Sequence, residues 1–109
     1  MEQVDPNKAV DYILKNAPNF AKAKAERVYL EEYRKSLKAI LSRSDTSKTV
    51  AEREAAAYAH DDYLALLEGL RVAVENEEKL RWELVAAQAR VEIWRSQEAT
   101  NRTAEKLFK

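Results

Sequence analysis

Histidine, aspartate and glutamate carry most acid–base and metal chemistry, and this sequence gathers them in two places. His60-Asp61-Asp62 is one, and Glu75, Glu77 and Glu78 form the other. The chain has one histidine and no cysteine, so disulfides, zinc–thiolate sites and thiol catalysis are excluded. A zinc site takes about four ligands, so the His60 cluster would need others brought in from elsewhere. There is no glycine-rich phosphate loop and no His-x-x-x-His, and one histidine gives little support to a Ser-His-Asp triad. On a helix, Glu75, Glu77 and Glu78 point in different directions, with Lys79 and Arg81 at hand as partners. The plain reading is that Asp61 or Asp62 caps a helix, that His60 lies on the surface, and that the glutamates form a solvated face. No catalytic, metal-binding or cofactor-binding residue is expected, and no enzymatic activity.

A second kind of chemistry is nucleic-acid contact. Lys24, Arg27, Arg34, Lys35 and Lys38 form a basic stripe, followed by Arg43 and Lys48, with Tyr29 and Tyr33 near enough to stack on bases. Glu26, Glu31 and Glu32 interrupt it and offer local ion pairs. The formal net charge is zero, whereas a nonspecific nucleic-acid binder is usually clearly basic. Residues 1–49 carry ten basic and seven acidic side chains, and residues 50–109 nine and twelve. This leaves net +3 and −3, an asymmetry that head-to-tail or antiparallel association can use.

The elements that carry these residues are helical. Ala, Leu, Glu, Lys and Arg dominate, and one glycine with two prolines is too few for an all-β domain. An all-α fold in a single domain, 1–109, is expected: an elongated helical hairpin with one very long C-terminal helix, two short helices and coiled-coil-like association. Asp5-Pro6 starts a short helix over about 6–16, which Pro18 ends through its effect on Ala17. A second helix covers about 20–42, with Phe20, Ala23, Leu30, Tyr33, Leu37, Ile40 and Leu41 at amphipathic spacing. The stretch SRSDTSK, 42–48, reads as a loop. Thr49 and Glu52 form a capping box for a helix over about 50–59. From Asp62 to about Asn101 nothing but Gly69 weakens a helix about 60 Å long. The tail 102–109 is polar enough to fray. MEQVDPNK contains no apolar run of a signal peptide, and no stretch reaches the ~18 apolar residues of a membrane span. A soluble cytoplasmic protein is expected.

Two stripes run along the long helix. Leu66, Leu70, Ala73, Glu77, Leu80, Leu84, Ala87, Val91 and Trp94 alternate by four and three, as in a heptad seam interrupted at Glu77. Glu77 is placed either to pair with an arginine across an interface or to lie at an exposed point of the seam. Trp82, Val85, Ala86, Ala89 and Ile93 form a second stripe on the opposite side. A helix apolar on two faces is largely buried, and the short helices are poorly sized to cover both. A homo-oligomer, dimer or higher, through Trp82, Val85, Ala86, Ala89 and Ile93 together with Leu80, Leu84, Val91 and Trp94 is the expectation, with a heterologous partner next. The alternative is that both stripes are core of one small bundle.

Residues 51–102, AEREAAAYAHDDYLALLEGLRVAVENEEKLRWELVAAQARVEIWRSQEATNR, resemble a family of small helical proteins encoded by tailed bacteriophages and prophages. NAPNFAKAKAERVYLEEYRKSLKA, residues 16–39, is similar too. The blocks YLEEYRKS, LRW, AAQAR and WRSQEATNR carry the resemblance as a set. The family often has proline after the histidine, where this chain has Asp61. The resemblance implies a phage early-region protein of replication or recombination in the bacterial host cytoplasm, without catalytic residues or a settled biochemical role. The expected function is a non-enzymatic interaction or accessory protein of phage DNA metabolism, acting through protein contacts and self-association. Its partners would be a phage recombination or replication protein or a host protein. Competing readings are a direct DNA binder using the basic stripe, and an inhibitor of a host protein.

Overall fold

Asp5 opens the first helix. Its carboxylate accepts the backbone amides of Asn7 at 2.9 Å and Lys8 at 3.4 Å, and Pro6, which has no amide hydrogen to lose, takes the first helical position. From there α1 runs unbroken over Pro6–Ser42, 37 residues with Pro18 inside. The computed structural model describes residues 3–43 and 48–108. Most of the loop expected at 42–48 lies outside them.

One helix therefore replaces the two expected over 6–16 and 20–42. Pro18 removes one amide donor, which leaves the carbonyl of Leu14 without its helical partner. Pro18 is exposed and Leu14 is 70% exposed, so water can serve that carbonyl. The inward face continues past the proline without a break. Ala9, Ile13, Asn16, Phe20, Ala23, Arg27, Leu30, Arg34, Leu37 and Leu41 alternate by four and three, and all are buried or half-buried. Tyr33 and Ile40, expected on this face, are exposed.

Thr49 caps α2 (Val50–Ala59), its hydroxyl accepting the Glu52 amide at 3.2 Å. His60 separates α2 from α3 (Asp61–Phe108), a helix of 48 residues. Along α3, Tyr63 and then every residue of the expected seam from Leu66 to Trp94 is buried or half-buried. Gly69 adopts no positive φ, and a Cβ there would meet nothing within 4 Å. The helix does not fray after Asn101 but continues to Phe108, with Thr100 and Thr103 donating to the carbonyls of Ser96 and Ala99. Extending a formed helix adds one hydrogen bond per residue fixed, which is far cheaper than starting one.

The fold is all-α, with three helices and no strand among the described residues. Only α2 is short, because the other expected short helix is part of α1. The single domain expected over 1–109 divides into two compact units, Met1–Phe20 with Glu78–Lys109, and Ala21–Glu77. In the first unit the Val4 amide donates to Gln97 and the Tyr12 hydroxyl to Glu83, so α1 and α3 run antiparallel. In the second, Arg27 meets Glu77 while Lys38 lies against Tyr58 near the start of α3, again antiparallel. Ala57 and Tyr63 are buried there, and the Tyr58 and Tyr63 rings meet edge to face at 5.3 Å.

Candidate functional site

The charged side chains of the seams settle first, since they decide which cations remain for a ligand. Glu77 is only 8% exposed. Arg27 grips it with two parallel hydrogen bonds, Nε to Oε2 at 2.6 Å and Nη2 to Oε1 at 3.0 Å, and its Nη1 reaches Glu31 at 3.0 Å. Fork-to-carboxylate pairing is the strong form of an ion pair, and a buried carboxylate requires it. The hydrogen bonds to Glu77, and then to Glu31, hold the Arg27 guanidinium even more firmly protonated than usual. Glu77 thus meets its arginine within the chain.

The basic stripe is dispersed by the same packing. Arg27 and Arg34 lie on the inward face of α1. Lys38 sits 4.6 Å from the centre of the Tyr58 ring and 4.0 Å from Glu54. Contact with the Tyr58 hydroxyl raises its pKa above the ordinary lysine value, with Glu54 adding to the effect. Lys35 pairs with Glu32 at 3.5 Å, and Lys24 and Arg43 are exposed. Tyr29 and Tyr33 stack on each other with centroids 6.0 Å apart, on the outer side of α1.

The junction cluster is structural in its contacts. The backbone amide of Asp62 donates to His60 Nδ1 at 3.0 Å, and the Leu64 amide to the His60 carbonyl at 3.0 Å. The imidazole, and not Asp61 or Asp62, is the cap. The two aspartates occupy the first turn, where negative charge is favoured. Glu75 and Glu78 pair with Arg71 and Arg81 along the helix surface. Among the described residues no group of three or more His, Asp or Glu side chains is arranged to hold a metal ion.

What stands open is the second stripe of α3. Trp82 is 58% exposed, Val85 39% and Ile93 38%, and Ala86 and Ala89 between them are exposed as well. Leu80, Leu84, Val91 and Trp94, expected with them as interface residues, are half-buried on the other side, within the unit that joins this part of α3 to the start of α1. The nine residues therefore divide into an inner row and an outer row. At a helical step of about 100°, Trp82, Ala86, Ala89 and Ile93 fall within an arc of about 60°. The guanidinium of Arg81 lies 4.7 Å from the Trp82 ring centre.

One flank of this row is a groove against α1, lined by Lys8, Ala9, Tyr12, Glu83, Ala86 and Arg90 among others. Tyr12 donates to Glu83 Oε2 at 2.5 Å, and that bond, with burial and the carboxylate charge, raises the pKa of the phenol above its usual value. Tyr12 and Gln97 are contacts the sequence pattern missed. Tyr12 lies beside the four-three row of α1 and not on it, and Gln97 lies past Trp94, where the expected seam of α3 stops, so neither carries a spacing signal. No helix among the described residues is long and apolar enough to cross a membrane.

No protein-family model, curated protein or solved structure matches this chain.

Proposed function

We propose that this chain is a non-enzymatic helical interaction protein that acts through protein contacts and self-association, with the outer face of α3 as its docking surface. We place it in phage or prophage DNA metabolism, as an accessory of recombination or replication in the cytoplasm of the bacterial host. The observation that carries the docking role is the row headed by Trp82, which stands exposed among the described residues. Tryptophan is enriched among residues that anchor interfaces, and a contiguous apolar row on a soluble surface marks an interaction site. Placement in phage DNA metabolism rests on the blocks YLEEYRKS, LRW, AAQAR and WRSQEATNR.

Capture from host cells, with and without phage infection, tests this. Wild-type protein is expected to retain a phage or host protein in fixed stoichiometry, and Trp82→Ala with Ile93→Ala is expected to lose it while keeping its helical spectrum. A phage recombination or replication protein supports the accessory role. An inhibited host enzyme supports the inhibitor reading instead. Equal recovery by wild type and variant removes the outer face of α3 from the function.

A further inference from the structure

Size and charge along the outer face of α3 are self-complementary. The row reads large, small, small, large: Trp82, Ala86, Ala89, Ile93, at steps of four, three and four. That order is the same from either end. A two-fold axis through its centre places Ala86 against Ala89 of a second copy, where two helices can approach closely. It places Trp82 against the second copy's Ile93 at both ends, where the helices diverge and volume is needed.

The charges agree with that axis. Glu83 and Arg90 are seven residues, or about two turns, apart and so share one flank of the row. In antiparallel pairing that flank faces its own copy, and the second copy's Arg90 lies about two residues, or about 3 Å along the axis, from the level of Glu83, within reach of a long side chain and twice by symmetry. Glu83 accepts from Tyr12 at one oxygen, Oε2, and among the described residues no donor is shown at Oε1. Among the described residues Arg90 has no acidic partner in its own chain, and it lines the groove beside Glu83. A two-fold contact must be self-complementary in this way, with residue i meeting j and j meeting i.

We infer that the occupant of this face is a second copy of the chain, packed antiparallel with Ala86 against Ala89 and Glu83 paired to Arg90. The inference rests on the outer face of α3 being a protein-docking surface, and it names what docks there. The arrangement needs no new fold, only two rigid helical faces brought together.

Light scattering on the full chain is expected to give twice the 12.5 kDa chain mass. Arg90→Glu sets like charges opposite each other and weakens the dimer by about tenfold or more, and adding Glu83→Arg restores it. Tyr12→Phe leaves the dimer in place, which separates the inter-chain role of Glu83 from its bond to the phenol. The absence of native cysteine makes cross-linking clean. A mixture of Ala86→Cys and Ala89→Cys chains is expected to oxidise to a covalent heterodimer, faster than either variant alone. A single-chain mass at every concentration overturns the inference, as does an Arg90→Glu dimer of unchanged strength, or Ala86→Cys cross-linking to itself as fast as to Ala89→Cys. A single-chain mass with Trp82-dependent capture of another protein removes the second copy and leaves the docking face standing. A dimer that captures nothing supports the second copy and removes the other partner.

Discussion

Replacing Pro18 by alanine tests the continuity of α1 with a sizeable expected effect. Pro18 lies inside a 37-residue helix on an exposed position, so alanine restores the amide donor to Leu14 without disturbing the seam. Proline in a helix interior costs about 3 kcal/mol relative to alanine. Proline also restricts the unfolded chain, and losing that restriction takes back about 0.4–1 kcal/mol, so the net gain is about 2 kcal/mol. With an unfolding entropy of about 2.1 cal/mol/K per residue over 109 residues, this corresponds to a rise in Tm of about 9 °C. Thermal melts followed by circular dichroism measure it, and the helical signal at low temperature is expected to stay the same. An unchanged or lower Tm would mean that the proline ring is favourable where it sits. A clear gain of helical signal would mean that the helix is interrupted at Pro18 in the native protein. Either result refutes a continuous α1 in which Pro18 is tolerated at a net cost.

Gly69→Ala is expected to stabilise by about 1 kcal/mol, since the position is helical and its Cβ would meet nothing; Tm measures this too. Glu77→Gln leaves Arg27 facing a neutral amide and is expected to lower Tm. Arg27→Met with Glu77→Leu recovers much of the loss, because apolar replacement of both members of a buried pair is often neutral. A double variant less stable than Glu77→Gln would show that the pair itself holds the helices together. Tyr12 has a raised folded-state pKa, so its bond contributes fully below the ordinary tyrosine value of 10.0 and is lost as pH rises through the raised one. The stability gap between wild type and Tyr12→Phe, measured by urea denaturation, is therefore expected to shrink above pH 10.

The inner seam of α3 was legible because its residues are apolar or small at all but one position, and the four-three spacing needs little else. The matching seam of α1 was hidden by its polar members. Asn16, Arg27 and Arg34 occupy inward positions, whereas charge alone groups the two arginines with the lysines of the basic stripe. Only the position of Glu77 on the facing helix turns Arg27 inward, and pairing between residues fifty apart is not a local signal. Pro18 misled in the opposite direction. The rule that proline ends a helix is local, whereas the inward residues before and after it pack against α3 and outweigh the lost hydrogen bond. At the His60 junction, sequence gave two aspartates as capping candidates and geometry chose the imidazole. The outer row of α3 is visible as a pattern, while its exposure depends on which of the two rows packs against α1.

The division of the chain also sets an order of assembly during synthesis. Residues 21–77 are contiguous, so that unit has all its parts once Glu77 has left the ribosome. The other unit joins the first twenty residues to the last thirty or so, and its contact between Val4 and Gln97 spans 93 positions. Closing so long a loop is slow and waits for the far part of α3 to be made. Until then the inward side of Ala9, Ile13 and Asn16 has no helix to rest on. The nascent chain therefore carries an unprotected amphipathic segment while residues 21–77 are made, and newly made α3 is what finally shields it.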